Sequence, residues 1–253
     1  MPSIVVVIPT YNELNAIGDV IARTLATLPE AHILIVDDNS PDGTGALVDS
    51  LAAADPRINV IHRTEKNGLG TAYVAGFRWA LERDYDRIVE MDADGSHQPE
   101  ELPLMMEKLD GGADLVIGTR WIPGGKTVNW PWTRRLISRS GTTYSRIMLG
   151  SKLHDITSGY RGFSAAMLKK IDLSTVDSGG YCFQIELAWL VERTGASVQE
   201  FPITFIERVE GQSKMSSNIV FEALYKVTIW GLGARFGRRG KARTIDTPTS
   251  GVN

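Results

Sequence analysis

The sequence predicts an α/β fold of the nucleotide-binding type, a mostly parallel central sheet flanked by helices, and three observations carry that prediction. Ser3-Ile-Val-Val-Val-Ile-Pro9 and His32-Ile-Leu-Ile-Val-Asp-Asp38 are unbroken apolar, β-branched runs, as expected of strands covered on both faces. An amphipathic stretch from Asn12 and Glu13 to about Leu28 separates them, so the chain opens as βαβ. A further apolar run, Arg87-Ile-Val-Glu-Met, leads into Asp92-Ala-Asp94 and breaks into a Gly/Ser/Pro loop, at the edge where open α/β sheets bind ligands.

The remaining elements follow in order. Asp38-Asn-Ser-Pro-Asp-Gly43 has turn chemistry, and a helix from about Thr44 to Ala54 leads to a short strand over Ile58 to His62. After the loop Glu65-Lys-Asn-Gly-Leu-Gly70, the residues Leu69, Ala72, Tyr73, Gly76, Phe77 and Ala80 recur at helical spacing to about Glu82. Pro99 to Leu109 reads as a helix and Asp114 to Thr119 as a strand leading to Arg120. Beyond it the regularity weakens. Pro123 to Pro131 reads as a loop, Arg134 to Leu149 as a helix, Ile156 to Ser164 as extended, Phe183 to Arg193 as a helix and Val198 to Ile206 as a strand. Residues 1–236 are expected to form one domain without repeat or linker, and 237–253 a basic, then disordered, tail.

At 253 residues, with 43% hydrophobic and 23% charged side chains, the chain can bury a full core. Its single cysteine, Cys182, excludes an internal disulfide, and His32, His62, His97 and His154 are too scattered for a structural zinc site. The β-branched run after Met1 is no secretory h-region, and no stretch reaches the roughly 18–20 uncharged apolar residues of a membrane span. A cytoplasmic chain is expected. Charge is unevenly spread: residues 1–125 hold 9 Lys/Arg against 20 Asp/Glu, and 126–253 hold 18 against 10. Lys126, Arg134, Arg135, Arg139, Arg146 and Lys152 fall in a stretch with no acid at all, which implies an anionic ligand or surface; nucleic acid is not expected as a partner.

Asp92 and Asp94 are the first candidate site. Carboxylates at i and i+2 beyond a buried strand suit a divalent cation holding a diphosphate, or are simply solvated in a polar turn. In Pro9-Thr-Tyr-Asn-Glu13, Tyr11 can stack on a base and Glu13 accept from a base or ribose; alternatively Asn12 caps the helix and Tyr11 packs locally. Asp37 and Asp38 either accept hydrogen bonds from a nucleoside or cap the turn. Neither Gly-x-Gly-x-x-Gly after the first strand nor Gly-x-x-x-x-Gly-Lys-Ser/Thr anywhere occurs, so a nucleotide would be gripped in another way.

Taken together, residues 7–13 (Val-Ile-Pro-Thr-Tyr-Asn-Glu), 35–44 (Ile-Val-Asp-Asp-Asn-Ser-Pro-Asp-Gly-Thr), 67–72 (Asn-Gly-Leu-Gly-Thr-Ala), 91–97 (Met-Asp-Ala-Asp-Gly-Ser-His) and 118–121 (Gly-Thr-Arg-Trp) resemble the inverting family-2 glycosyltransferases of the Rossmann-like GT-A fold. Within that superfamily, residues 134–139, 155–161 and 207–214 are similar to segments of the dolichol- and polyprenol-phosphate mannose synthases; the resemblance spans about residues 3–230. It implies guanosine contacts from Pro9, Tyr11, Glu13, Val36 and Asp38, and sugar, diphosphate and Mg²⁺ or Mn²⁺ on Asp92, Ala93 and Asp94. Ser96 stands where many relatives have Gln and joins the metal set through its hydroxyl or a water. Arg120 and Arg134 would meet the acceptor phosphate, with Arg135 competing for the second role, and Arg208 and Lys214 would close over the donor diphosphate.

The implied reaction moves mannose from GDP-mannose to a polyprenyl or dolichyl monophosphate at a cytoplasmic membrane face, with inversion. Asn129-Trp-Pro-Trp132 beside Arg134 and Arg135 pairs interfacial aromatics with cations, or is a buried Trp pair. Residues 219–236, interrupted by Glu222, Lys226 and Arg235, read as an interfacial helix or as a core helix; peripheral association or an integral-membrane partner follows from the first. A polyprenyl-phosphate glucosyltransferase using a UDP-sugar stays open. A nucleotidyltransferase would carry a Gly-rich basic loop after the first strand, and a degenerate scaffold of the same fold would lose the acidic pair or the cationic loop; neither holds.

Overall fold

The computed structural model describes residues 2–176, 180–207 and 217–236. In chain order these form β1 (Ile4–Thr10), α1 (Ile17–Thr27), β2 (His32–Asp37), α2 (Thr44–Ala54), β3 (Ile58–His62), α3 (Leu69–Leu81), β4 (Arg87–Glu90), a 3₁₀ turn (Pro99–Glu101), α4 (Leu102–Asp110), β5 (Leu115–Thr119), β6 (Lys126–Val128), α5 (Trp132–Leu149), β7 (Arg161–Ser164), α6 (Ala165–Leu168), α7 (Gly180–Arg193), β8 (Val198–Pro202), β9 (Thr204–Ile206) and α8 (Ser217–Phe236). A seven-stranded sheet has the order β3-β2-β1-β4-β7-β5-β8, parallel except for β7, which runs antiparallel to both neighbours. A separate parallel pair joins β6 to β9.

Strand alternation divides the core between the two faces of the sheet. Val5, Val7, Leu34, Val36 and Ile88 pack with Tyr73 and Phe77 of α3 and Phe183 of α7. Val6, Ile8, Ile33, Ile35 and Val89 pack with Val20 of α1 and Met105 of α4. The helices sit close because small residues let them. A Cβ on Gly76 would lie 2.4 Å from Val7 Cγ1, and one on Gly162 of β7 would lie 2.7 Å from Met105 Sδ.

Four expectations change in the structure. Helix α1 starts at Ile17: Asn12 is left-handed (φ 58°) and caps nothing, while the Glu13 carbonyl receives Ala16 N and Ile17 N. The run Val198 to Ile206 splits at Ile203, since β8 ends its pairing with β5 at Pro202 and β9 moves to the second sheet. Its partner β6 lies inside the stretch expected to be a loop, because three residues are too short to show a period and only cross-chain pairing makes them a strand. Within Ile156 to Ser164 only Arg161–Ser164 is strand; the preceding residues fold back so that their carbonyls meet the Arg161 guanidinium.

Helix α8 is packed on the domain through part of its surface, as the core-helix reading of residues 219–236 expects. Val227 is buried, Trp230 stacks on Trp189 of α7, and Tyr144 of α5 shares a 2.6 Å hydrogen bond with Thr228. On its other side Tyr225, Ile229 and Leu232 are exposed. The tail 237–253 lies outside the described residues. Among the described residues no helix is long and apolar enough to cross a membrane.

Candidate active site

Strands β2, β1 and β4 are neighbours, so their carboxyl ends open side by side onto a cavity of about 410 Å³. Of the sequence-predicted residues, Pro9, Tyr11 and Glu13 reach it from β1, Asp38 from β2, Asp92, Ala93, Asp94 and Ser96 from β4, and Arg134 from α5. Val36, expected to touch the nucleoside, is instead fully buried beneath Gly76 between β1 and β3 and does not line the cavity.

The two aspartates after β2 divide their labour. Asp37 is structural, receiving Thr10 Oγ1 at 2.8 Å, Ser40 Oγ at 2.6 Å and Ser40 N at 3.1 Å. Asp38 borders the cavity and pairs with Arg63 at 3.0 Å. Above the Tyr11 ring, Lys66 Nζ sits 3.8 Å from the centroid, a cation–π contact that places a positive charge at the cavity.

The acidic loop is held in shape from below. Asp94 Oδ1 receives Ser96 N at 3.0 Å, the Ser96 carbonyl receives Ile206 N, and Gly95 supplies the left-handed turn (φ 72°). Asp92 N donates to His97 Nδ1 at 3.2 Å, and Tyr73 Oη approaches Asp92 Oδ1 at 3.5 Å. His97 is stacked on Tyr160 with Phe205 edge-on, and burial pushes its pKa down to about 4, so the ring is neutral and Nδ1 can accept. Behind the loop, burial raises Glu90 to about 8 against the pull of Arg161. Burial also lowers Arg161 to about 10, and this guanidinium is satisfied by the carbonyls of Ser158, Ile156 and Gln184 at 2.7–2.8 Å.

The candidate arginines separate. Arg120 is buried behind the wall of the cavity and does not line it: Nε and Nη2 grip Asp155 at 2.6 and 2.7 Å, and Nη2 also reaches Thr157 Oγ1. Arg120, expected to meet a phosphate, here holds the 155–157 loop, of which Thr157 faces the cavity. Arg134 does line the cavity, lies 4.3 Å over the Trp130 ring and pairs with Glu207. Arg135 points to the Thr127 carbonyl and is not part of the lining. Arg208 and Lys214 lie outside the described residues.

Among the described residues no cluster of three His, Cys, Asp or Glu could hold a metal by itself. Two carboxylates facing a cavity still suit Mg²⁺ or Mn²⁺, which take one or two protein carboxylates and complete their shell with substrate phosphates. Several cavity residues escaped the sequence reading: Lys66, Thr157, Gly159, Gln184 and Phe205. Lys66 had a signal, its place in the Gly-rich loop before α3, whereas Gln184, on α7 with Glu186, Glu192 and Arg193, carried none.

The pattern of glycosyl transferase family 2 matches residues 5–172. A polyprenol monophosphomannose synthase of Mycolicibacterium smegmatis is 55% identical over 94% of this chain and 91% of its own length. An undecaprenyl-phosphate mannosyltransferase of Micrococcus luteus is 54% identical over 92% of this chain and 96% of its own. Among solved structures, glucosyl-3-phosphoglycerate synthase of Mycobacterium tuberculosis, in complex with Mn²⁺, UDP-glucose and glycerol 3-phosphate, superposes with a TM-score of 0.64 over 95% of this chain and 82% of that one, at 19% identity.

Proposed function

The chain belongs to glycosyl transferase family 2, and on that premise we propose that it is a polyprenol-phosphate mannose synthase, transferring mannose from GDP-mannose to a polyprenyl monophosphate with inversion. One observation carries the reading beyond family membership: a single cavity joins a nucleoside-sized edge (Pro9, Tyr11, Glu13, Asp38), an acidic loop (Asp92, Asp94) and a cationic wall residue (Arg134).

Breaking the bond between sugar and diphosphate develops negative charge on the leaving group. Asp92 and Asp94 would hold Mg²⁺ or Mn²⁺, which supplies Lewis-acid stabilisation of that charge. Lys66 stands at the same cavity and adds a positive charge. A lipid monophosphate is largely dianionic near neutral pH, its second pKa being about 6, and attacks without a strong general base. No residue here needs to remove its proton; Arg134 has the task of positioning its oxygen against the anomeric carbon. Arg208 and Lys214 join the donor diphosphate on this reading.

The acceptor arrives from a bilayer, and α5 and α8 fit such a surface. Trp132 (73% exposed), Leu136 and Ile147 fall within about 60° of one another around α5 at 100° per residue, with Arg135, Arg139 and Arg146 forming an adjacent cationic strip. The exposed apolar side of α8 lies on the helix beside it. Trp130, in contrast, is buried against Phe205. We therefore place the chain peripherally on the cytoplasmic face of a membrane, alone or against an integral-membrane partner.

The test is transfer of labelled sugar into organic-extractable product by purified protein with polyprenyl phosphate in anionic vesicles and Mg²⁺ or Mn²⁺. Label from GDP-mannose and not from UDP-glucose is the expected result; label from UDP-glucose alone overturns the mannose assignment, and none from either donor, with or without added membrane extract, overturns the enzyme reading.

A further inference from the structure

Gln184 on α7 has no part in the transfer chemistry described above, yet it borders the cavity, is 2% exposed, and has no hydrogen-bond partner of normal geometry on either amide atom. Its polar neighbour is the Glu90 carboxyl, on whose ionisation the amide acts, yet the two do not meet at hydrogen-bond geometry. A buried amide left in this state destabilises the fold unless a ligand completes it.

Its placement is fixed. Arg161 Nη1 donates to the Gln184 carbonyl at 2.7 Å, which anchors this turn of α7 to β7. Facing it is Gly159: a Cβ there would lie 3.5 Å from Gln184 Nε2, 3.8 Å from Asp92 Oδ1 and 3.9 Å from His97 Cε1. The missing side chain thus keeps open a small space flanked by an amide and a carboxylate.

The chemistry of that space selects its occupant. A sugar hydroxyl both donates and accepts, so neighbouring hydroxyls satisfy a carboxylate, which only accepts, and an amide, which does both. A phosphate offers acceptors alone and has no proton to donate to a carboxylate. The cations that line the cavity, Lys66 and Arg134, suit phosphates, and the amide–carboxylate pair suits the hexose. We propose that Gln184 is a donor-sugar contact which, together with Asp92 across Gly159, grips hydroxyls of the hexose ring and sets which hexose is transferred. This rests on the glycosyl-transfer reading given above.

The experiment compares the full chain with Gln184→Met, which keeps the volume and removes the amide, and with Gln184→Asn, which keeps an amide but withdraws it. Calorimetry gives the Kd of GDP, and turnover gives kcat/KM for GDP-mannose and for GDP-glucose, its epimer at one hydroxyl. In Gln184→Met, kcat/KM for GDP-mannose is expected to fall about 10- to 100-fold while the Kd of GDP stays within about twofold, and discrimination between the epimers narrows. Equal weakening of GDP and GDP-mannose, or unchanged discrimination, overturns the proposal in favour of a structural glutamine. If Gln184→Met does not fold, Gln184→Asn is judged by the same two criteria. A wild type that uses UDP-glucose instead sinks the mannose reading alone; UDP, UDP-glucose and UDP-galactose then take the same places. A wild type that transfers nothing sinks the enzyme reading, and Gln184 is then judged by whether its loss weakens sugar-nucleotide binding more than nucleotide binding.

Discussion

The acidic loop after β4 and Arg134 line one cavity, with Arg120 behind its wall, and the acids and arginines hold their charges by different means. Asp92 and Asp94 are fixed locally, by hydrogen bonds within residues 92–97 and by the neutral His97 beneath them. The arginines are fixed by distant carboxylates, Arg120 by fully buried Asp155 and Arg134 by half-exposed Glu207. Burial decides what each pair can do. A desolvated, bidentate pair such as Arg120–Asp155 is a structural clamp, since separating it strands a charge in a medium that cannot solvate it. A partly solvated pair exchanges partners at small cost, so Arg134 can trade Glu207 for a phosphate.

Breaking the acidic side should have the largest effect. Asp94→Ala is expected to lower transfer by about 10³-fold or more and to remove metal-dependent donor binding, as followed by labelled product and by calorimetry with GDP-mannose. Turnover near that of the wild type would exclude the metal role. On the cationic side the two pairs should part in stability before they part in activity. Asp155→Ala leaves Arg120 buried without its counter-charge and is expected to cost about 3–5 kcal/mol in urea unfolding. Arg134→Ala should cost under about 1 kcal/mol. A stable Asp155→Ala with a raised acceptor KM would instead return Arg120 to the phosphate.

Arg134→Ala sharpens the contrast in kinetics. The KM for polyprenyl phosphate should rise about 10- to 100-fold with GDP-mannose affinity nearly unchanged, whereas loss of donor binding would move Arg134 to the other side of the reaction.

The smallest effect concerns Glu90, whose pKa is raised to about 8 in the folded chain from an ordinary value of 4.5. Folded protein keeps this proton where unfolded chain has released it, so the contribution to stability is complete below pH 4.5 and is lost as pH rises through 8. His97 works in the opposite sense, but only below its ordinary value of 6.5, since above that it is neutral in both states. Between pH 6.5 and 8, stability should therefore decline by at most about 1.4 kcal/mol per pH unit, and Glu90→Gln should flatten the decline. Equal slopes in the two proteins would show that Glu90 ionises normally.

The two halves of the chain also differed in how much their residues disclosed. Up to Thr119, every strand and helix was visible as a periodic run, because elements in a doubly covered parallel sheet are continuous in both hydrophobicity and sequence. Pro9, Tyr11, Glu13, Asp38, Asp92 and Asp94 could be picked out because they sit directly after those runs, where topology places ligands. After Thr119 the strands are short, one is antiparallel, and β6 exists only through β9, so the local signal falls below what a period can show.

By itself, then, the order of residues determined the α/β class, the edge of the sheet that carries the cavity, and the acidic pair, since each depends on neighbours within a few positions. Three matters were left to the tertiary structure: which arginine faces the cavity, which Trp of Trp130 and Trp132 is buried, and that Gln184 meets Asp92 across Gly159. Arg120 finds Asp155 35 positions along the chain, and Arg134 finds Glu207 at 73. Such pairings are chosen by how helices and loops close over the sheet and by which charges that closure desolvates, and no local pattern of residues carries either quantity.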